Sequence, residues 1–257
     1  MAGVIGIIQA RIGSSRLPAK ILAPIAGEPL LSVLSARLDS ARVDEWWLAT
    51  TAEREDDITA AWGRALGMGV HRGAVEDVLS RFTSIIRERR PSWILRVTAD
   101  DPFMDGEIVN ALIDALPEAE KRTHEGGGKR VSLIEIGGPE PIFPLGYAPQ
   151  LARADDVLAS EGEIPADQPF HRSHVLSWLR AHTQPFAKPA PESWPRRPEW
   201  RWTVDTPLDL EMTRDAFDQF GTGWREITYV DMVAALDGRP DITRRNRDVR
   251  QKELHEG

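Results

Sequence analysis

The sequence predicts an α/β fold, a mostly parallel central sheet with helices on both faces. Short β-branched or aromatic apolar runs (Val4–Gln9, Trp46–Thr50, Trp93–Thr98) recur, each followed by a loop and then by apolar residues at helical spacing. Repeated strand, loop and helix is the pattern of parallel strands joined by helical crossovers. At 257 residues and 41% apolar content the chain can bury one sizeable core.

Val4–Gln9 stops abruptly at Ala10-Arg11-Ile12-Gly13-Ser14-Ser15, which reads as a buried strand entering a loop. Leu30, Leu31, Val33, Leu34 and Leu38, with Pro29 at the first turn, predict a helix. Trp46–Thr50 is the next strand and Asp56–Leu66 the next helix. Val75, Val78, Leu79, Phe82, Ile85 and Ile86 make one apolar helix face over 75–90, ended by Pro91. Trp93–Thr98 is a strand running into Ala99-Asp100-Asp101-Pro102, and Met104–Leu116 is a helix. Lys121–Arg130, with its three consecutive glycines, predicts a mobile loop before a strand at Val131–Ile136. Between Gly137 and Pro198 prolines are frequent and periodicity fades, apart from a helix around Ser173–Ala181. That stretch reads as an irregular excursion for acceptor binding or a subunit contact. Glu199–Val204 returns to a strand pattern, Thr206 opens a helix to Phe220, and Thr228–Leu236 is the last helix. The expectation is a single domain over 1–237 and a charged, frayed tail over 238–257.

Charge and composition exclude several functions. Lys and Arg number 32 against 40 Asp and Glu, a net charge of −8, which suits a nucleic-acid backbone poorly. With no cysteine there is no disulfide, no thiolate nucleophile and no cysteine-ligated metal. No apolar run approaches the ~20 residues that span a bilayer, and Met1–Ala10 lacks the pattern of a signal peptide. A cytoplasmic protein that binds neither nucleic acid nor membrane is expected. Lysine is confined to positions 20, 121, 129, 188 and 252, which makes Lys20, inside a Gly/Ser/Pro loop, conspicuous.

Three constellations fall at strand ends, where open α/β sheets bind ligands. Ala10 to Lys20 offers Arg11, Arg16 and Lys20, the hydroxyls of Ser14 and Ser15, and backbone N–H groups, an inventory that suits a polyphosphate. It has neither Walker A nor dinucleotide-fingerprint spacing, and an ordinary turn with solvated arginines has the same composition. Adjacent Asp100 and Asp101 point in different directions, so at most one faces a ligand. Mg²⁺ takes one or two carboxylates together with substrate phosphate oxygens. In Thr203-Val204-Asp205-Thr206-Pro207-Leu208-Asp209, Thr206 and Asp209 are explained by helix-start chemistry, whereas Asp205 is not needed for it.

Together these pieces resemble the cytidylyltransferases that activate sugar acids, the CMP-Kdo and CMP-sialate synthetases, and above all the spore-coat-polysaccharide type. The opening IIQARIGSSRLPAK carries that family's signature. ATTAERED, HRGAVEDVLSRF, RVTADDPFMD and RWTVDTPLDLE follow in order, and FHRSHVLS is a further match. The resemblance implies a fold related to the nucleotide-diphospho-sugar transferases, CTP and Mg²⁺ as substrate and cofactor, a small-molecule acceptor and a homodimer. It implies that Ala10, Arg11, Gly13, Ser14, Ser15, Arg16 and Lys20 hold the triphosphate. Thr50, Arg72, Gly73, Asp77 and Thr98 fall near the base and ribose. Asp100 and Asp205 fall on the metal ligands, and with Arg11 and Lys20 they form the catalytic set.

The family's Gly-Leu-Asp-Val-Glu-like acceptor segment is replaced here by Pro144-Leu145-Gly146-Tyr147-Ala148-Pro149-Gln150, which leaves a sugar acid, a phosphorylated sugar or polyol, or a phosphonate open as acceptor. Gly146, Tyr147 and His174 are the candidates for binding it. His171 and His174, three apart, can share one helix face. His71 and the nine tryptophans read as structural or subunit-contact residues. Two other readings stand beside this one: a nucleotidyltransferase that uses another nucleoside triphosphate with a sugar phosphate, and a nucleotide-binding module without turnover.

Overall fold

Alternation along one strand sets up the layers of the protein, of which a computed structural model describes residues 3–125, 130–137 and 140–253. In β1 (Val4–Gln9), Val4 and Ile8 enter one apolar core while Ile5 and Ile7 enter a second, because successive strand side chains point to opposite faces. The chain continues through the short hairpin β2 (Pro24–Ile25) and β3 (Glu28–Pro29) into α1 (Leu30–Arg37). There follow β4 (Glu45–Thr51), α2 (Asp57–Ala65), β5 (Gly69–Gly73), α3 (Val78–Arg89), β6 (Trp93–Thr98), α4 (Gly106–Ile113) and α5 (Leu116–Glu125). The second half adds β7 (Leu133–Ile136), β8 (Gln150–Arg153), α6 (Ala154–Glu163), α7 (Phe170–Ser173), α8 (Ser177–His182) and β9 (Phe186–Lys188). It ends with α9 (Pro207–Phe220), α10 (Tyr229–Asp237) and α11 (Pro240–Thr243). Residues of α1, α4, α9 and α10 fill the first core, and those of α3, α6 and α8 fill the second.

Seven strands pair in the order β5-β4-β1-β6-β8-β7-β9. β5, β4, β1 and β6 are parallel, and β8 alone among these seven runs against its neighbours. The chain leaves β1 for β4 on one side and comes back to β6 on the other. That reversal opens a crevice beyond the carboxyl ends of β1 and β6. Among the described residues no helix is long and apolar enough to cross a membrane.

Several elements differ from the sequence expectation. Asp77 caps α3 by accepting from the Ser80 N–H at 3.0 Å, so the helix starts at Val78 and leaves Val75 and Glu76 in a loop. The helix expected over Met104–Leu116 is α4, shorter at both ends, and a second helix, α5, begins at Leu116. The second runs through Lys121–Glu125, where a loop was expected, on a series of strong helix formers; the glycines at 126–128 lie outside the described residues. The 137–198 stretch contributes more than an excursion. β8 is inserted between β6 and β7, β9 extends the sheet, and α6 covers it. Four residues with polar ends (Gln150, Arg153) carry too little periodicity to announce β8. Glu199–Val204 forms no strand, only a single bridge between Arg201 and Leu145. The tail is docked rather than frayed as far as it is described: Ile242 and Asn246 are each 1% exposed.

Candidate active site

Three segments far apart in sequence line the crevice. After β1 the chain loops back on itself, the Ala19 N–H donating to Ile12 O at 3.0 Å. Asp56 anchors this loop from beneath; its fully buried carboxylate accepts from the Ile12 N–H at 2.7 Å and from the hydroxyls of Thr51 and Thr59. Ala19 has φ 57, in the left-handed region, and the turn it makes leads into Lys20. Such a conformation costs an L residue roughly 1–2 kcal/mol, held here by the surrounding contacts.

Lys20 Nζ lies 2.5 Å from Asp100 Oδ2 and 2.8 Å from Asp205 Oδ1. Burial alone would lower the lysine pKa, but the negative charges of Asp100 and Asp205 outweigh it and hold the pKa above the usual value. Asp205 receives Arg16 at 2.9 Å and Arg201 at 2.8 Å on its other oxygen. Burial would raise its pKa; Lys20, Arg16 and Arg201 reverse that and leave it below the usual carboxylate range. Asp101 turns away from this group. It is buried, accepts from the Thr98 hydroxyl, and has a pKa pushed up to about 7 by burial and by the neighbouring Asp100 charge. One member of the Asp pair therefore faces the crevice, as adjacent positions require.

Asp205 is held from behind. Arg201 Nε donates to Asp209 Oδ1 at 2.8 Å, and the backbone N–H of Asp205 donates to Asp209 Oδ2 at 3.0 Å. Asn246, from the docked tail, donates to Asp209 Oδ1 at 2.8 Å and to Arg201 O at 3.0 Å, while Gln251 accepts from Arg201 at 2.6 Å. The capping box of α9 is present, with Thr206 and Asp209 in the expected roles, but Asp209 is also the hub of a buried network.

The resulting cleft encloses about 260 Å³. Its floor is the loop from Ala10 to Lys20 and its near wall is Thr98 to Asp100 with Asp205. The far wall is Val75, Glu76, Val78 and Arg81; Ser173, His174 and Lys252 close the rim. A basic loop, two converging carboxylates and a roomy polar cleft at the reversal of strand order can receive a nucleoside triphosphate.

Comparison with known proteins gives this arrangement a family. The family profile described as cytidylyltransferase matches residues 5–187. The chain belongs to the cytidylyltransferase family. It is thereby a CTP-dependent nucleotidyltransferase. Spore coat polysaccharide biosynthesis protein SpsF of Bacillus subtilis is 31% identical over 249 residues, covering 94% of this chain and 97% of that protein. A 3-deoxy-manno-octulosonate cytidylyltransferase of Anaeromyxobacter dehalogenans is 33% identical over 203 residues, 74% of this chain and 79% of that enzyme. In three dimensions, a cytidylyltransferase from Leptospira borgpetersenii superposes with a TM-score of 0.81 at 24% identity, over 98% of this chain and 100% of that one.

Against this cytidylyltransferase frame, the structure brings together Ala10, Arg11, Gly13, Ser14, Ser15, Arg16, Lys20, Thr98, Asp100, His174 and Asp205 in one cleft. Other residues singled out in the sequence lie elsewhere. Thr50 is fully buried in β4. Arg72 pairs with Asp57 at 2.6 Å and with the carbonyls of Thr51 and Glu53, outside the cleft. Gly73 lies under the Arg81 stem, and Asp77 is occupied by its helix N–H and by Arg172 at 2.8 Å. Tyr147 is buried in the core. It stacks on Tyr229 with centroids 4.8 Å apart and donates to Asp105 at 2.8 Å, so its ring does not line the cleft. Gly146, at φ +99, packs against Thr203 and Asp101 and borders a different pocket. His171 and His174 do not share a face. His171 is buried against Ser177, Trp178 and His182, while His174 ends α7 and borders the cleft.

Sequence reasoning missed Gln9, Val75, Glu76, Arg81, Ser173 and Lys252 as lining residues. One of them carried a signal: Arg81 is three residues after Val78 and four before Ile85, a charge within the apolar face of α3.

Proposed function

We propose that this cytidylyltransferase transfers the CMP group of CTP to an oxygen of a sugar acid or a related phosphate or phosphonate, releasing pyrophosphate. The observation that carries this reading is the Lys20 ammonium between Asp100 and Asp205, at 2.5 and 2.8 Å, beside the basic loop that follows β1. The relative named for 3-deoxy-manno-octulosonate supports an acceptor of the sugar-acid type, and the one named for spore coat polysaccharide supports a carbohydrate acceptor.

The acceptor oxygen forms a bond to the α-phosphorus while the bond from that phosphorus to the bridging oxygen breaks and pyrophosphate leaves with the electron pair. A hydroxyl acceptor gives its proton to solvent, whereas a phosphate or phosphonate oxyanion has none to lose. Alignment and charge neutralisation supply most of the rate. Arg11, Arg16 and the Ser14 and Ser15 hydroxyls hold the phosphates in this reading, and Lys20 and Arg11 stabilise charge growing on the leaving group.

The residues present fit a divalent cation. An ammonium already lies between two carboxylates, one in the loop after β6 and one just before α9, which marks the point as favourable to positive charge. Two carboxylates are the share of the coordination shell that Mg²⁺ takes from protein when phosphate oxygens complete it. Asp100 and Asp205 would hold the ion, which supplies positive charge to the phosphate oxygens.

The test is pyrophosphate release from CTP and Mg²⁺ over a panel of sugar acids, sugar phosphates and phosphonates. Asp205→Ala should abolish release with the fold retained. Lys20→Ala should weaken triphosphate binding by about 1.5–3 kcal/mol, the worth of a hydrogen bond to a charged group. Parental turnover in both variants, or no release with any acceptor, refutes the reading.

A further inference from the structure

Arg81 is a cation in the cleft that the reaction described above does not use. Its side chain belongs to α3, is 2% exposed, and still borders the cleft. Its donors are poorly served. Among the described residues the two terminal nitrogens reach only the carbonyls of Ala49 and Val75, each at 3.4 Å, and Nε has no hydrogen-bond partner. Asp56 and Asp77 act on it through space without making an ion pair among the described residues. Burial and the nearby Arg11 charge lower its pKa to about 10, so it remains charged at neutral pH. Buried polar groups are almost always paired, and an idle buried guanidinium that opens into a cleft is short of a ligand.

The location narrows what that ligand part can be. A Cβ on Gly73 would lie 2.8 Å from Arg81 Cγ, so the arginine stem crosses the end of β5 where no side chain stands. Its head reaches the carboxyl-terminal half of β4 at Ala49. Arg81 thus occupies the β4–β5 side of the crevice, while Lys20, Asp100 and Asp205 occupy the β6 side, with the phosphate loop between them. On the proposed function, on which this inference rests, phosphates gather at the Lys20 side and the base extends to the other. Cytosine presents two adjacent in-plane acceptors, O2 and N3, which match the planar fork of a guanidinium. Uracil carries an N–H at position 3, which would face an arginine donor, so the mismatched base is rejected by an unpaired buried group.

We propose that Arg81 reads the pyrimidine by donating to the O2/N3 edge of cytosine, making it the residue that favours CTP over UTP. The experiment is calorimetric titration of CTP, UTP and inorganic pyrophosphate, at constant Mg²⁺, into the wild-type protein, Arg81→Met and Gly73→Ala. In Arg81→Met, CTP binding should weaken by about tenfold or more and UTP binding by under about threefold, so the preference collapses while pyrophosphate binding is kept. Gly73→Ala keeps the guanidinium but displaces its stem, and should give an intermediate preference. Retained pyrophosphate binding also reports that a variant is folded; should Arg81→Met fail to fold, the CTP/UTP ratio of Gly73→Ala decides. A ratio unchanged from wild type overturns the assignment. So does an equal loss of CTP, UTP and pyrophosphate, which would put Arg81 on the phosphates. A wild-type protein that does not bind CTP, or that favours a purine triphosphate, overturns the proposed function itself and this inference with it.

Discussion

Replacing Asp209 by Asn separates a helix cap from a support of the reactive centre. Asp209 Oδ1 accepts from Arg201 Nε and Asn246 Nδ2, both at 2.8 Å. Its Oδ2 accepts from the N–H groups of Asp205 and Thr206 and from the Thr206 hydroxyl, at 3.0, 2.9 and 2.9 Å. An amide reproduces only one of these oxygens. Whichever way it is flipped, its NH₂ opposes at least two donors in a site with no exposed surface. Each buried donor left without an acceptor costs about 1–3 kcal/mol, and breaking one side of a buried ion pair costs about 3–5 kcal/mol. The expected destabilisation is therefore about 3–5 kcal/mol, a large share of the 5–15 kcal/mol that holds a typical domain together. A lost cap alone costs about 1 kcal/mol, so size discriminates between the two roles. Urea unfolding gives the stability change. CTP turnover gives the second readout: with Arg201 released, Asp205 loses its alignment and kcat should drop by about tenfold or more. A loss near 1 kcal/mol with unchanged kcat would show that Asp209 only starts α9.

Two further outcomes are expected. Gly146→Ala would place a Cβ 2.6 Å from the Thr203 backbone nitrogen and 2.9 Å from Asp101 Oδ1 at a backbone φ of +99. It should destabilise by about 2–4 kcal/mol and lower turnover by shifting the segment that carries Asp205; an unfolding midpoint equal to wild type contradicts this. His171, held neutral by burial and by the neighbouring His182 charge, has a pKa below the usual imidazole value. Its unfolded form binds protons that the folded form refuses, so its stability contribution is complete above about pH 6.5 and is lost as the pH falls through the lowered folded value. Melting curves of wild type and His171→Gln between pH 5 and 8 should converge on the acid side; a constant separation refutes it.

What the sequence reveals depends on how local the cause is. Val4–Gln9 and Trp93–Thr98 are legible because apolar runs sit next to the loops they enter. The capping of α9 is legible because Thr206 and Asp209 are three residues apart. The same Asp209 also binds Arg201 and Asn246, separated from it by 8 and 37 positions, and no pattern in the neighbourhood of either announces that. Asp56 is similar. Its partner Ile12 is 44 positions away, so it reads as an ordinary helix-start acid although it anchors the loop that follows β1. β8 escaped for the opposite reason, since it is buried by strands on both sides but too short to show a period.

The candidate site was legible in proportion to its charge. Lys20 stands out as one of five lysines, set inside a Gly/Ser/Pro loop, Asp100 because it follows a strand end, and Asp205 because the cap of α9 does not need it. Tyr147 misled because an aromatic residue can serve equally as a ligand contact or as core, and here the ring joins the Phe143–Trp202–Tyr229 cluster. Arg81 shows the reverse error. A charge in the middle of an apolar helix stripe cannot be core filling without an acceptor, so the violation of the pattern, rather than the pattern, was the information.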